Sequence, residues 1–123
     1  MPKILVIEDD KSFRNVLVQM LDKAGFEVSQ AGDGNQAIEL CRQIQPDVVL
    51  TDIIMPDKEG LETIQELLAL CPNMRIIAMS GGGRIGPDSY LPLAKKLGAK
   101  ATLQKPFMRD DLLSAIAEVL ESD

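Results

Sequence analysis

The sequence predicts an open α/β domain built on a doubly wound, five-stranded parallel sheet. Three observations carry that prediction. The apolar period switches between 2 and 3.6 five times along 123 residues, the signature of repeated βα units. The first, third and fourth strand-like runs are nearly continuous in apolar residues, as expected when helices cover both faces of a parallel sheet. Gly34, Pro46, Pro72, Gly98 and Pro106 punctuate the joins, where turn chemistry belongs. At this length the chain has room for one domain, expected over 1–123 with no linker or low-complexity tract.

The first strand is read over Lys3–Glu8, and the first helix is the clearest of the five: Phe13, Val16, Leu17, Met20, Leu21 and Ala24 fall on one face, and Gly25 stops it. Glu27–Ala31 reads as the second strand and Asn35–Gln43 as the second helix, with Cys41 in phase with Ala37, Ile38 and Ile44. The third strand, Asp47–Asp52, is followed by a helix over Gly60–Leu70, where Cys71 continues the phase of Ile64, Leu67 and Leu68. Arg75–Ser80 and Ala101–Gln104 complete the strands. Tyr90–Leu97 and Arg109–Glu121 complete the helices.

Composition excludes several classes of function. There is no histidine, and the two cysteines are not clustered, so zinc and iron sites are not expected and any metal must be a hard cation held by oxygen. Both cysteines read as small core residues of a reduced, cytoplasmic protein. A net charge of −6 argues against direct nucleic-acid binding, which needs a basic face. No apolar run approaches the roughly 20 residues of a membrane span. Met1-Pro2-Lys3 leads directly into strand-like sequence, so no signal peptide is expected.

A doubly wound sheet binds ligands beyond the carboxyl ends of its strands, where strand order reverses. The first strand ends in Glu8-Asp9-Asp10, the third in Asp52, the fourth in Ser80, and Lys105 follows the fifth. In a sheet ordered 2-1-3-4-5 these four strands are neighbours, so carboxylates, a hydroxyl and an ammonium converge on one rim. A lone acid at a strand end is commonly a helix cap, and Asp10 is read as that. Two carboxylates about 5 Å apart repel by roughly 3 kcal/mol at an effective dielectric near 20. Three carboxylates with one lysine leave the rim at a formal −2, which one divalent cation neutralises. Magnesium suits such a site, since it keeps waters and adds phosphate oxygens readily.

The stretches "ILVIEDD" at 4–10, "PDVVLTDIIMPDKEG" at 46–60, "IIAMSG" at 76–81 and "LQKPF" at 103–107 resemble the receiver domains of two-component response regulators, including the stand-alone chemotaxis type. The resemblance covers the whole chain and implies a flavodoxin-like sheet ordered 2-1-3-4-5. It implies that Asp52 accepts a phosphoryl group from a histidine kinase or a phosphotransfer protein. Glu8 and Asp9 resemble the acidic pair that holds Mg2+ (or Mn2+), with Asp9 and Asp52 as direct ligands and Ile54 adding its backbone carbonyl. Ser80 and the Gly81 amide resemble the groups that bind phosphoryl oxygens. Lys105 resembles the lysine that pairs with acceptor or phosphate, and its bond to Pro106 would be cis. The domain would be no enzyme beyond its own phosphorylation and dephosphorylation. It would signal through an unknown downstream protein, with homodimerisation on phosphorylation as a further expectation and no membrane involved.

Three stretches depart from the family pattern. "SGGGRIGPDSYLP" (80–92) is about three residues longer than usual, and its Gly81-x-Gly83-x-x-Gly86 is discounted as a dinucleotide motif because Pro87 and Asp88 separate it from a helix. Thr102 stands where many receivers carry the aromatic ring that moves on activation. Ile54 and Gly82 offer no polar side chain to hold a hydrolytic water. Two alternatives remain beside a stand-alone receiver. One is the receiver portion of a longer regulator with an output domain. The other is an aspartyl-phosphate phosphatase of the haloacid dehalogenase type, which needs a second acid where Ile54 stands. A degenerate scaffold is disfavoured by the complete set Asp9, Asp52, Ser80 and Lys105.

Overall fold

β1 spans Lys3–Ile7, and its last four residues are buried on both faces. The chain then alternates through α1 (Lys11–Lys23), β2 (Glu27–Ala31), α2 (Gly34–Ile44), β3 (Val48–Asp52), α3 (Gly60–Leu70), β4 (Arg75–Ser80), α4 (Leu91–Leu97), β5 (Ala101–Gln104) and α5 (Arg109–Glu121). The computed structural model describes residues 2–53, 60–80 and 91–121. The strands form one sheet in the order β2-β1-β3-β4-β5, with every pair parallel. This is the predicted fold, and its element bounds differ from the sequence reading by a residue at a few ends.

Strand alternation builds two cores from one sheet. Leu5, Ile7, Val49, Ile76 and Ala78 face Ala37, Cys41, Ile64 and Leu67 of α2 and α3. Ile4, Val6, Val48, Leu50, Ile77 and Met79 face Leu17, Leu21, Leu112 and Ile116 of α1 and α5. β3 is buried at all five positions, which is why its sequence reads as a continuous apolar run rather than an alternating one.

Asp10 and Gly25 act as read, and the structure adds Asp33 as a second cap. Asp10 caps α1 by accepting from the Phe13 amide at 3.2 Å, and Asp33 caps α2 by accepting from the Gln36 amide at 2.8 Å, each satisfying an otherwise orphaned donor. Gly25 takes a φ of +95° just past α1, a conformation that glycine adopts without a Cβ penalty. Two side chains depart from the sequence reading. Val16 is 46% exposed because the buried stripe of α1 runs through Leu17 and Leu21, leaving Val16 at its edge beside Gln19 and Lys23. Cys71 is only partly buried. It lies just past the end of α3, packed against the edge of the first core. Cys41 is buried, and burial pushes its thiol up to about 11.

Among the described residues, no helix is long and apolar enough to cross a membrane.

Candidate functional site

The carboxyl ends of β1, β3 and β4 lie side by side because those strands are adjacent in the sheet. Glu8 follows β1, and its amide donates to the Ala31 carbonyl of β2 at 3.1 Å. Asp52 is the last residue of β3. The next amide, that of Ile53, donates to the Met79 carbonyl at 3.0 Å, which ties the end of β3 to β4. Ser80 is the last residue of β4, and its carbonyl accepts from the Lys105 amide at 2.8 Å. That bond carries the lysine backbone over from the end of β5. The Lys105–Pro106 peptide is cis.

The side chains then converge. Lys105 Nζ lies 2.7 Å from Glu8 Oε1 and 3.0 Å from Asp52 Oδ2. Glu8 is 1% exposed, Asp52 7% and Ser80 1%, whereas Asp9 is exposed at the rim. Carboxylate oxygens of Glu8, Asp9 and Asp52 all fall within 4.8 Å of one another. Asp10 belongs to the helix rather than the cluster, as its cap shows. Thr102 is half-buried in the middle of β5. The positions read as Ile54, Gly81 and Gly82 lie outside the described residues.

Burial dominates the electrostatics of Glu8. Loss of water, reinforced by the nearby Asp52 charge, raises its carboxyl to about 7 despite the hydrogen bond from Lys105. Burial alone would lower the Lys105 ammonium. Its hydrogen bonds and charge interactions with Glu8 and Asp52 outweigh that and raise it above the ordinary lysine value. The arrangement is therefore one cation clamped between two acids, with a third acid beside them.

The donor set suits a hard divalent cation. All three groups are carboxylates. Oxygens bound at about 2.0–2.1 Å to one octahedral ion stand roughly 2.9 Å apart when adjacent and 4.2 Å when opposite. The observed spread reaches that range with small side-chain movements. Formal charge agrees: three carboxylates and one ammonium leave −2, which one divalent ion offsets.

Two neighbours of the cluster were not legible as site residues. Lys105 Nζ lies 4.6 Å from the centre of the Phe13 ring, and the Phe107 ring meets Phe13 edge-on at 6.0 Å. In the sequence Phe13 is one apolar position of an amphipathic helix, and nothing in that pattern places Lys105 above it. Arg14 is the second. Its guanidinium donates to the Glu8 carbonyl at 2.8 Å. A separate groove of about 410 Å³ runs between α4, β5 and α5, past Lys95, Thr102, Gln104 and Asp111; none of the clustered acids lines it.

Comparison with known proteins agrees with this geometry. The family model described as the response regulator receiver domain matches residues 4–117. The chemotaxis protein CheY of Thermotoga maritima is 33% identical over 118 residues, covering 95% of this chain and 96% of that protein. The DNA-binding transcriptional regulator NtrC of Azospirillum brasilense is 34% identical over 98% of this chain, which spans 24% of its length. A crystal structure of a response regulator receiver domain protein from Clostridium thermocellum superposes with a TM-score of 0.91 at 30% identity, covering 98% of this chain and 94% of that one.

Proposed function

The chain belongs to the response regulator receiver domain family, and from that membership we propose that it is a phosphorylation-controlled signalling module with Asp52 as its acceptor. The observation that carries the reading is the convergence of Asp52 and Glu8 on Lys105 at one end of the sheet, with a carboxylate oxygen of Asp9 within 4.8 Å of theirs. An ionised aspartate is already a nucleophile and needs no general base. One Asp52 carboxylate oxygen bonds to phosphorus as the P–N bond to the donor's histidine breaks. The bonding pair stays on the imidazole nitrogen, which takes a proton from water.

This chain's residues supply the electrostatics. Lys105 is already in contact with Asp52, and its ammonium offsets charge on the arriving phosphoryl oxygens. Ser80, beside it on β4, provides a hydroxyl to a phosphoryl oxygen. The Gly81 amide and the Ile54 carbonyl complete the reading taken from the family. Glu8, Asp9 and Asp52 would hold the magnesium ion, which when bound neutralises the acidic cluster and draws in phosphate oxygen. The donor is a histidine kinase or a phosphotransfer protein. The output is a phosphorylation-dependent protein contact, within a cytoplasmic domain spanning 1–123 that catalyses only its own modification. A second reading, the receiver portion of a longer regulator, is favoured by the match to NtrC, of which this chain spans a quarter.

The test is intact mass after incubation with acetyl phosphate, with and without magnesium. A single phosphoryl adduct should form only with magnesium present, and Asp52→Asn should abolish it. Equal labelling of the Asn variant would overturn the assignment.

A further inference from the structure

Two of the three acids of the cluster, Glu8 and Asp9, sit on the short connection between β1 and α1, and a residue outside the cluster holds that connection from behind. Arg14, at the start of α1, donates from Nη1 to the Glu8 carbonyl oxygen at 2.8 Å. From Nε it donates to Gln30 Oε1 at 2.9 Å. Gln30 lies on β2, paired with Val6 of β1. One planar guanidinium therefore ties the end of β1, the side of β2 and the first turns of α1 together, using two donors in fixed relative directions.

The neighbouring backbone leaves room for this brace. A Cβ on Gly32 would stand 3.1 Å from Arg14 Nη1, tighter than ordinary van der Waals contact, so glycine there keeps the guanidinium's place open. The Gly32 amide is itself held by Gln36 Oε1 at 3.1 Å.

The Glu8 carbonyl shares a rigid peptide plane with the nitrogen and Cα of Asp9. A hydrogen bond to that oxygen fixes how the chain turns out of the strand, and with it the direction in which Asp9 projects. The Glu8 carboxylate is tied into the same turn, since Glu8 Oε2 accepts from the Asp10 amide at 3.2 Å.

We propose that Arg14 is a positioning residue for divalent-cation binding, its bond to the Glu8 carbonyl holding the Glu8–Asp9 peptide so that both acids meet Asp52. The inference rests on reading the acidic cluster as a cation site. Its sign separates it from plain electrostatics. A guanidinium beside a cation site repels the cation, so removing Arg14 as a mere charge would tighten binding. Removing it as a brace loosens binding, because partners that orient ligands from behind typically carry about tenfold or more in metal affinity.

The experiment is calorimetric titration of magnesium into the wild type, Arg14→Ala, Arg14→Lys, Gln30→Ala and Asp9→Asn, with thermal melting in chelator as the control for folding. Arg14→Ala should weaken magnesium binding about tenfold. Arg14→Lys keeps a donor but not the fork and should recover part of the loss. Gln30→Ala, which removes only one prop, should weaken binding about two- to threefold. The magnesium concentration giving half-maximal labelling by acetyl phosphate should rise in the same order, while the labelling rate at saturating magnesium stays near that of the wild type. Equal or tighter magnesium binding by folded Arg14→Ala overturns the inference. Should that variant fail to fold, unchanged binding by Gln30→Ala overturns it instead. Magnesium binding by the wild type that is lost in Asp9→Asn upholds the cation site independently of Arg14. A wild type that binds no magnesium overturns the site and the inference together.

Discussion

The Lys105 ammonium rests 4.6 Å from the centre of the Phe13 ring while it bridges Glu8 and Asp52. The lysine is thus held from two sides, by acids at its tip and by an aromatic face beside it. A cation over a ring contributes about 0.5–1 kcal/mol at a partly exposed site. Phe13→Leu keeps an apolar side chain but loses the ring's negative face. It should weaken beryllofluoride binding about two- to fivefold, and Phe13→Tyr should not. Equal binding by the Leu variant would reduce Phe13 to packing.

Glu8 makes the stability of the metal-free protein depend on pH. The folded state holds the Glu8 proton up to about pH 7, whereas the ordinary carboxyl value is 4.5. Between those values the folded state binds more protons than the unfolded chain, so stability falls as pH rises through the window. The change is on the order of 2–3 kcal/mol. Urea denaturation in chelator at both ends of the window should show this slope in the wild type, and Glu8→Gln should flatten it. A Gln variant with the full slope would assign the titration to another group.

Asp9 and Asp10 are adjacent acids with separable roles. Asp10→Ala should cost about 1 kcal/mol by uncapping α1, with magnesium affinity nearly unchanged. Asp9→Asn should lose about tenfold or more in magnesium affinity, since a ligand and its charge go together, with little change in melting temperature in chelator. Calorimetry and melting curves on the two variants check both halves. Interchanged effects would mean that the cluster uses the other acid.

Gly98 closes α4 with a φ of +123°, and a Cβ there would run into Leu68 Cδ1 on α3. Gly98→Ala combines a disfavoured backbone with a clash and should cost about 1–3 kcal/mol. Thermal melting reads it directly. Magnesium affinity should not move, because Gly98 precedes β5 and the acids lie beyond the opposite ends of the strands.

Most of the fold was legible because burial on both faces leaves a plain mark. The continuous runs Val48–Leu50 and Ile76–Met79 belong to central strands, and Asp10 and Gly25 bracket α1 as their chemistry predicts. Val16 was misread because a 3.6-residue period defines a face only to within a neighbouring position. The acids, Ser80 and Lys105 could be picked out because each stands at a strand end, and strand ends in this topology point one way. Phe13 and Arg14 could not. Their roles depend on where α1 lies against Lys105 and Gln30, and a helix carries no record in its own sequence of what passes across it.

The bridge from Lys105 to Glu8 joins positions 97 residues apart, and the bridge to Asp52 spans 53. A nascent chain emerging from the ribosome presents its acids early and their counter-charge late. Until β5 docks against β4, the half-made sheet carries Glu8, Asp9 and Asp52 without the ammonium that joins them. Loop closure over such a span is slow compared with local helix formation. The lysine therefore couples competence to completion: a chain that ends at Gln104 contains all five strand segments and all three acids and still lacks the cation that bridges Glu8 and Asp52.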